Sequence, residues 1–359
     1  MAIYNFAAGP AILPAAVLQE AQRDLVSVPG VGLSLLEMSH RSKPVVEMIE
    51  GAEEDIRKLA GIPDDYHILF LQGGASLQFS MVPMNLLTPN GKADHIVTGN
   101  FASLALKDAQ KVGDIRVAGS TEDRNFDCVP GQDELELDPE ADYVHFTGNN
   151  TIYGTEWPTE PEVDGVPLVA DLSSNIFSKP IDVSRYGLIY AGAQKNLGAA
   201  GVTLVLIRDG LLSRSPDSLP AMLNYSIHAK GHSAYNTPPV FSIYILGLVV
   251  KWLAEQGGLE HMERLNEDKA RLIYDQLDSS EFFRGHAQTG HRSRMNVTFR
   301  LPNAELETRF STEAAAEGLV ELKGHRSVGG IRASIYNAFP KEGVEALVSF
   351  MKEFERTHG

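Results

Sequence analysis

The chain contains very little cysteine and no long hydrophobic segment. Cys128 is its one cysteine, which excludes an internal disulfide bond and leaves no cluster of thiols for a metal. No stretch approaches the ~20 apolar residues that a membrane helix needs, and the first residues lack the basic start of a secretory signal. We therefore expect a globular cytoplasmic protein that does not bind a membrane.

Positive charge is also scarce. The 31 lysine and arginine residues are outnumbered by 47 acidic residues, which gives a formal net charge of −16. This charge argues against an extended phosphate-binding surface, so nucleic acid is not expected as a partner. The glycine patterns of dinucleotide-binding and P-loop proteins are absent as well. An anionic ligand would therefore need a local cluster of cations.

Short apolar runs alternate with amphipathic stretches along the chain. Because the runs are rich in β-branched residues and are followed by Gly or Asp, they predict buried strands in an α/β fold with a parallel or mixed sheet covered by helices. The Gly257–Gly258 pair suggests a boundary, so we expect a large domain over 16–257 and a small α/β domain over 1–15 and 258–359. The predicted strands are 67–71, 95–99, 115–119, 143–147, 167–171, 188–192 and 202–207.

Unusual residues follow several of these strands, where α/β proteins bind their ligands. The segment QGGASLQF (72–79) predicts a tight turn into a helix whose free N–H groups suit a phosphate. Asp171 ends one strand and Lys195 follows the next, so both side chains could reach the same edge of the sheet. An acid and a lysine together indicate pyridoxal phosphate (PLP), which needs a Schiff-base lysine and an acidic partner for its ring nitrogen.

Two further residues could contact a flat ring. Phe101 could stack on it, and Thr151 offers a hydroxyl to a ring substituent. Each of these features also has an ordinary structural interpretation, such as a helix start, a cap, a core aromatic residue or an Asn-rich loop. Together, and in this order along the chain, they match one cofactor site.

Seven segments resemble motifs of a single enzyme family, in order and over nearly the whole chain. On these segments the sequence is similar to the phosphoserine aminotransferases, which are class-V members of the fold-type I PLP-dependent transferases. The resemblance implies a large domain with a seven-stranded, mostly parallel sheet between helices, and a smaller C-terminal α/β domain. The segments are NFAAGPAILP (5–14), EMSHRS (37–42), GGASLQF (73–79), ADLSSN (170–175), AGAQKNLG (191–198), YNTPP (235–239) and GHRSVGGIRASIYNA (324–338).

The resemblance implies roles for residues at the cofactor. Lys195 matches the Schiff-base lysine and Asp171 the partner of the ring nitrogen. Phe101 stands where the family commonly has tryptophan, which affects the strength of the ring stacking. Asn236 and Thr237 match residues that reach the cofactor phosphate of the neighbouring subunit, which implies a homodimer with shared sites. The remaining expected cofactor contacts are Ala75, Ser76, Thr151 and Gln194.

Substrate recognition is expected to need two separate cation clusters. Phosphoserine carries a carboxylate and a phosphate, and glutamate carries two carboxylates, which arginine pairs with well. The resemblance assigns the α-carboxylate to Arg332 and the distal group to His40, Arg41, His325 and Arg326. It implies reversible transamination of 3-phosphohydroxypyruvate with L-glutamate in serine biosynthesis, with ping-pong kinetics through pyridoxamine phosphate. A phosphorylated threonine derivative of vitamin B6 synthesis fits the same clusters, so a second activity stays open.

Other functions agree less well with these residues. A cysteine desulfurase needs a reactive thiol, but Cys128 lies in an acidic segment without a basic neighbour in sequence to lower its pKa. An aminotransferase for serine or alanine would not need the second cation cluster, and a non-catalytic binding protein would not need Lys195. A zinc site at His228 and His232 has no evident third ligand, so no metal is expected.

Overall fold

Strands and helices alternate along the chain. The computed structural model describes residues 2–359. Its strands are β1 (Tyr4–Asn5), β2 (Tyr66–Leu71), β3 (Lys92–Val97), β4 (Asp114–Ser120), β5 (Val144–Thr147), β6 (Leu168–Asp171), β7 (Leu188–Gly192), β8 (Thr203–Arg208), β9 (Arg284–Gly285), β10 (Asn296–Arg300), β11 (Leu319–Val320) and β12 (Ile331–Ser334). Its helices are α1 (Ala15–Val26), α2 (Lys43–Ala60), α3 (Gly74–Leu86), α4 (Asn100–Ala109), α5 (Asp209–Leu212), α6 (Tyr225–Lys230), α7 (Val240–Glu255), α8 (Gly258–Asp278), α9 (Ala304–Ala316) and α10 (Lys341–His358).

Strands β2 to β8 form one seven-stranded sheet in the order β2-β8-β7-β6-β5-β3-β4. Neighbouring strands from β7 to β4 are parallel, whereas β8 runs antiparallel to both β2 and β7. All seven predicted strands lie in this sheet, so the predicted mixed, mostly parallel architecture is confirmed. The carboxyl ends of β3, β5, β6 and β7 consequently meet at one edge of the sheet.

Helices cover both faces of this sheet. Val45, Ile49 and Ile56 lie on one side of α2 at helical spacing and pack with α7 in the first hydrophobic core. On the opposite face, Phe79 of α3 and Ala105 of α4 pack against the strands. Because both faces are covered, β7 is buried at every residue, which explains why its sequence is an unbroken apolar run.

The helix α7 is apolar on nearly all sides because it lies between other helices. It contacts α1, α2 and α8, and residues such as Ile243 and Leu246 have no exposed surface. Among residues 2–359, no single helix is both long and apolar enough to cross a membrane. The pair α7 and α8 meets that criterion only when taken together, by length and composition, and the two are bent by 85° at their junction.

A second hydrophobic core lies around β10, β12 and helices α8 to α10, and it includes Phe6 from the start of the chain. Helix α8 contributes Met262 to the first core and Ile273 to the second. The domain ranges 16–257, 1–15 and 258–359 stay a prediction, and Met1 of the second range lies outside the described residues. Strand β11 ends at Val320, and the next residue, Glu321, turns the chain with a φ of +65°.

We predict that Phe310→Ala destabilises the second core selectively. The Phe310 ring centre lies 5.0 to 6.0 Å from those of Phe283, Phe299, Phe350 and Phe354, so truncation should cost about 3–5 kcal/mol. Urea unfolding followed by far-UV circular dichroism measures this loss.

The two tryptophans serve as a separate probe, since Trp157 and Trp252 both belong to the first core. If 16–257 unfolds as its own unit, Phe310→Ala shifts the fluorescence transition much less than the circular dichroism transition. Equal shifts would contradict the predicted domain division. The control Leu104→Ala removes a side chain that is 43% exposed and should change stability by about 0.5 kcal/mol or less.

Candidate active site

Lys195 lies in the turn between β7 and β8, at the edge of the sheet where the parallel strands end. Its Nζ donates a hydrogen bond to Thr151 Oγ1 at 2.7 Å and lies 4.9 Å from the centre of the Phe101 ring. Burial lowers the pKa of Lys195 to about 8, although the nearby Asp171 carboxylate opposes this shift. The amine therefore loses its proton much more readily than an exposed lysine does.

Small residues around Lys195 leave room for its side chain. Gly9 has a φ of +150°, and a Cβ at this position would lie 3.4 Å from Lys195 Cγ and 3.7 Å from Gln194 Cγ. The Ala11 N–H also donates to the Gln194 carbonyl at 2.9 Å, so the first segment of the chain lies against the lysine turn. Gly9 thus lies directly beside Lys195 and was not singled out from the sequence, although it belongs to the motif NFAAGPAILP.

Asp171 is the last residue of β6 and is almost fully buried. The Ser173 N–H donates to its Oδ1 at 2.9 Å and fixes the orientation of the carboxylate. Burial raises the pKa of Asp171, and the positive charge of Lys195 opposes that rise. A buried carboxylate of this kind is stabilised by any further cation that enters the site.

Arg332 reaches the same site from β12, in the second core. Its Nη1 donates to the Thr151 carbonyl at 3.4 Å, and burial lowers its pKa. Burial and the charges of Arg332 and Arg326 also lower the pKa of His325. Arg326, next along this loop, is exposed. The residues that the structure brings together are Phe101, Thr151, Asp171, Lys195, His325 and Arg332.

A glycine pair begins the helix α3 directly after β2. Gly73 has a φ of +92°, and a Cβ there would lie 2.5 Å from Leu77 Cδ2, so the turn requires glycine. No side chain caps the helix, which leaves the first N–H groups without a partner inside it. Ala75 and Ser76 lie in this first turn, and Ser76 is exposed. The uncapped start of this 13-residue helix favours an anion such as a phosphate.

Asn236 and Thr237 lie beside this helix start in the same chain. Gln72, which precedes the glycine pair, donates from Nε2 to the Thr237 carbonyl at 3.4 Å. Gln72 and Asn236 also line one small cavity of about 80 Å³. The role that we expect for both residues across a subunit interface stays a prediction.

His40 and Arg41 are not joined to the other predicted site residues. They lie in the turn before α2, and Arg41 is exposed. Within residues 2–359, neither side chain forms a hydrogen bond or an ion pair with a predicted site residue, and His40 Nε2 is buried without a partner. A single chain therefore does not connect this pair to Arg332.

Asn150 supports the site and was not singled out from the sequence. Its Nδ2 donates to the Thr98 carbonyl and, at 3.0 Å, to Thr155 Oγ1. A Cβ at Gly99 would collide with Asn150 Oδ1, so glycine allows this close approach. Asn150 thereby holds the segment before Phe101 next to the loop of Thr151. The Asn-rich segment TGNN (147–150) was a visible signal, but it is equally typical of an ordinary loop.

The alternative sites have less support. Cys128 is buried, and burial followed by the neighbouring Asp127 raises its thiol pKa to about 11, which opposes thiolate chemistry. His228 Nε2 lies 3.0 Å from the Met222 carbonyl oxygen. In the part of the chain that the structure describes, no group of three His, Cys, Asp or Glu residues could hold a metal ion.

Comparison with known proteins agrees with this geometry. The family model for class-V aminotransferases matches residues 3–347. The chain is 54% identical to the phosphoserine aminotransferase of Desulfosudis oleivorans over 99% of both chains. Among solved structures it is similar to the phosphoserine aminotransferase of Bacillus circulans subsp. alkalophilus, with a TM-score of 0.98, 49% identity and 99% of both chains covered.

A more distant relative has the same fold with cofactor present. The PLP-bound phosphoserine aminotransferase of Trichomonas vaginalis has a TM-score of 0.92 and 37% identity to this chain, and the match covers 98% of this chain and 99% of that one. Similarity of this extent, over the whole length and in both sequence and structure, exceeds what a shared fold alone produces. This chain therefore belongs to the class-V aminotransferases and, within them, to the phosphoserine aminotransferase family.

Proposed function

We propose that this chain is a PLP-dependent phosphoserine aminotransferase. It would transfer the amino group of L-glutamate to 3-phosphohydroxypyruvate, giving O-phospho-L-serine and 2-oxoglutarate in serine biosynthesis. The observation that carries this proposal is the meeting of Lys195, Asp171 and Arg332 at one edge of the sheet. The names of the relatives at 54% and 49% identity support the same reaction. A cytoplasmic location and use of the phosphorylated threonine derivative stay predictions.

The residues of the site fit PLP. The free N–H groups at Ala75 and Ser76 suit its phosphate, with Gln194 as a further contact. Phe101 lies close enough to the Lys195 amine to stack on a ring attached there. Asp171 supplies the buried carboxylate that the ring nitrogen needs. When bound, PLP supplies an aldehyde carbon for amines and a ring that withdraws electrons from the substrate α-carbon.

Each proposed role for the chain's own residues follows from charge and position. Lys195 would hold the cofactor and, when released, would take a proton from the α-carbon of the amino donor. In the second half-reaction it would deliver a proton to the α-carbon of the keto acid, and a pKa of about 8 allows both roles near neutral pH. The Thr151 hydroxyl orients the Lys195 amine. Asp171 keeps a proton on the ring nitrogen. Arg332 pairs its planar guanidinium with the α-carboxylate and so orients the α-carbon towards Lys195.

The distal group of the substrate is proposed to bind the second cation cluster. His325 lies near Arg332, and the adjacent Arg326 is exposed. Within residues 2–359 neither Arg326 nor Arg41 forms an ion pair, although the chain carries 47 acidic residues. Both guanidinium groups are thus available for a phosphate or a carboxylate. An aminotransferase for alanine or serine would gain nothing from such a cluster.

We also propose a homodimer with shared sites. Leu18, Val26, Leu33 and Leu36 are large apolar side chains in one stretch of the chain, and each is more than half exposed. Exposed apolar side chains in one region are typical of an interface. The same stretch leads into Arg41, which one chain leaves apart from Arg332. A second copy that covers this region is consistent with both features.

The first prediction concerns the distal cations. Arg326→Ala should lower kcat/KM for phosphoserine by about 100-fold, because it removes a charge-assisted hydrogen bond to the phosphate. The same change should affect alanine, which has no distal anion, by less than about threefold. Single-turnover absorbance changes of the PLP-loaded protein measure both values. Lys323→Ala, an exposed cation of the same segment, is the control and should leave both values unchanged. Equal losses for both amino acids would refute the distal assignment.

The second prediction concerns the shared site. A hybrid dimer is prepared from a Lys195→Ala chain and an Asn236→Asp chain that carry different tags. If Asn236 serves the neighbouring subunit, one of the two sites keeps both native residues, and the hybrid should have about half of the wild-type activity. Activity no higher than that of the Asn236→Asp homodimer would place Asn236 in its own chain's site. A hybrid of Lys195→Ala with the wild-type chain provides the reference for half activity.

A further inference from the structure

Lys269 is a fully buried lysine, and the function proposed above does not use it. It lies on α8, has no exposed surface and forms no ion pair within residues 2–359. Its Nζ instead donates to three main-chain carbonyls, those of Ile335 at 3.0 Å, Tyr336 at 2.7 Å and Phe339 at 3.2 Å. The three donors of an ammonium group are thus matched by three acceptors of one turn.

A lysine at this position is costly for the fold. Burial lowers the pKa of Lys269 to about 7, whereas the three carbonyls favour its protonated form. An unbranched apolar side chain such as methionine would fill the same space without the cost of burying an amine. We therefore attribute the amine at this position to its three hydrogen bonds, which hold the turn at 335–339.

This turn joins the two halves of the proposed catalytic site. It follows β12 directly, so it begins three residues after Arg332. At its centre, the Asn337 N–H donates to Asn196 Oδ1 at 3.0 Å, and Asn337 Nδ2 donates to the Phe177 carbonyl at 2.8 Å. Asn196 is the residue after Lys195. The turn therefore links the strand of the arginine to the loop of the lysine.

Asn266 strengthens the same link from α8. It lies three residues before Lys269, on the same side of the helix, and it is fully buried. Its Nδ2 donates to Asn337 Oδ1 at 2.8 Å and to the Ser178 carbonyl at 2.9 Å. Two neighbouring side chains of α8 thus hold the turn at both its main chain and its central side chain.

We propose that Lys269 and Asn337 are positioning residues that set the separation between Lys195 and Arg332. Lys269 holds the turn that follows Arg332, and Asn337 fastens this turn to Asn196. This inference rests on the proposed function, in which Arg332 binds the α-carboxylate. Since phosphoserine and glutamate share that carboxylate, loss of the link should affect both substrates by the same factor.

The test compares Lys269→Met with Ile273→Ala in the PLP-loaded protein. Both changes lie on α8, but only Lys269→Met removes hydrogen bonds to the turn at 335–339. The aliphatic side chain of Ile273 forms none, and its truncation weakens the second core alone. Amide hydrogen exchange is measured on peptides covering 331–339 and 193–198, and KM and kcat are measured for phosphoserine and glutamate. Lys269→Met should speed exchange in both peptides and raise both KM values by about tenfold, with kcat changed by less than about threefold.

Ile273→Ala should leave exchange at 193–198 and both KM values unchanged. Asn337→Ala is the second variant, in case Lys269→Met does not fold, and it should reproduce the effect on both peptides and both substrates. The proposal is overturned if either variant folds yet leaves exchange at 193–198 and both KM values as in the wild type. The exchange measurement does not depend on turnover, so it tests the link between the turn at 335–339 and the loop of Lys195 independently of activity. Failure of the wild-type protein to transaminate phosphoserine would refute the proposed function and not this link.

Discussion

The desolvated amine of Lys195 is the constraint on which the rest of the site depends. An ammonium group is poorly stabilised away from water, and this lowers its pKa to about 8. Asp171 opposes the shift, Thr151 orients the amine, and Gly9 leaves space beside the side chain. Parallel strands bring these groups together, because their carboxyl ends share one edge of the sheet. The fold thus lowers the pKa of this lysine by keeping water from its amine and by fixing which charges lie near it.

Hydrogen bonds between buried asparagine side chains connect this edge of the sheet to the second core. Asn149 Nδ2 donates to Asn296 Oδ1 at 2.8 Å, and Asn337 makes the contact to Asn196 described above. Buried polar groups of this kind are costly unless paired, so they favour one relative placement of the segments that they join. Arg332 lies on β12 between Ile331 and Ala333 of the second core, so these hydrogen bonds support its placement relative to Lys195. In the proposed function, substrate binding at Arg332 and proton transfer at Lys195 would be linked through these buried hydrogen bonds.

Much of the fold could be predicted from the sequence, because buried parallel strands have short, continuous apolar sequences. The placement of Asp171 and Lys195 at one edge of the sheet could be predicted for the same reason, since Asp171 ends such a run and Lys195 follows one. Asn150 and Lys269 could not be found this way, because their partners are main-chain carbonyls of segments brought together only by folding.

His40 and Arg41 were predicted as substrate-binding residues only from the family resemblance. Within a single chain they are not connected to Arg332. The left-handed backbone of Glu321, which follows β11, is likewise not evident from its residue type.

The most direct test of this account is to find which amine carries the cofactor. Borohydride reduction of the PLP-loaded protein converts the Schiff base to a stable bond, and peptide mass spectrometry then locates the added mass. The label should lie on the peptide containing Lys195, whose amine is desolvated and lies near Phe101 and Asp171. A label on the fully buried Lys269, or one spread over exposed lysines, would rule out this assignment.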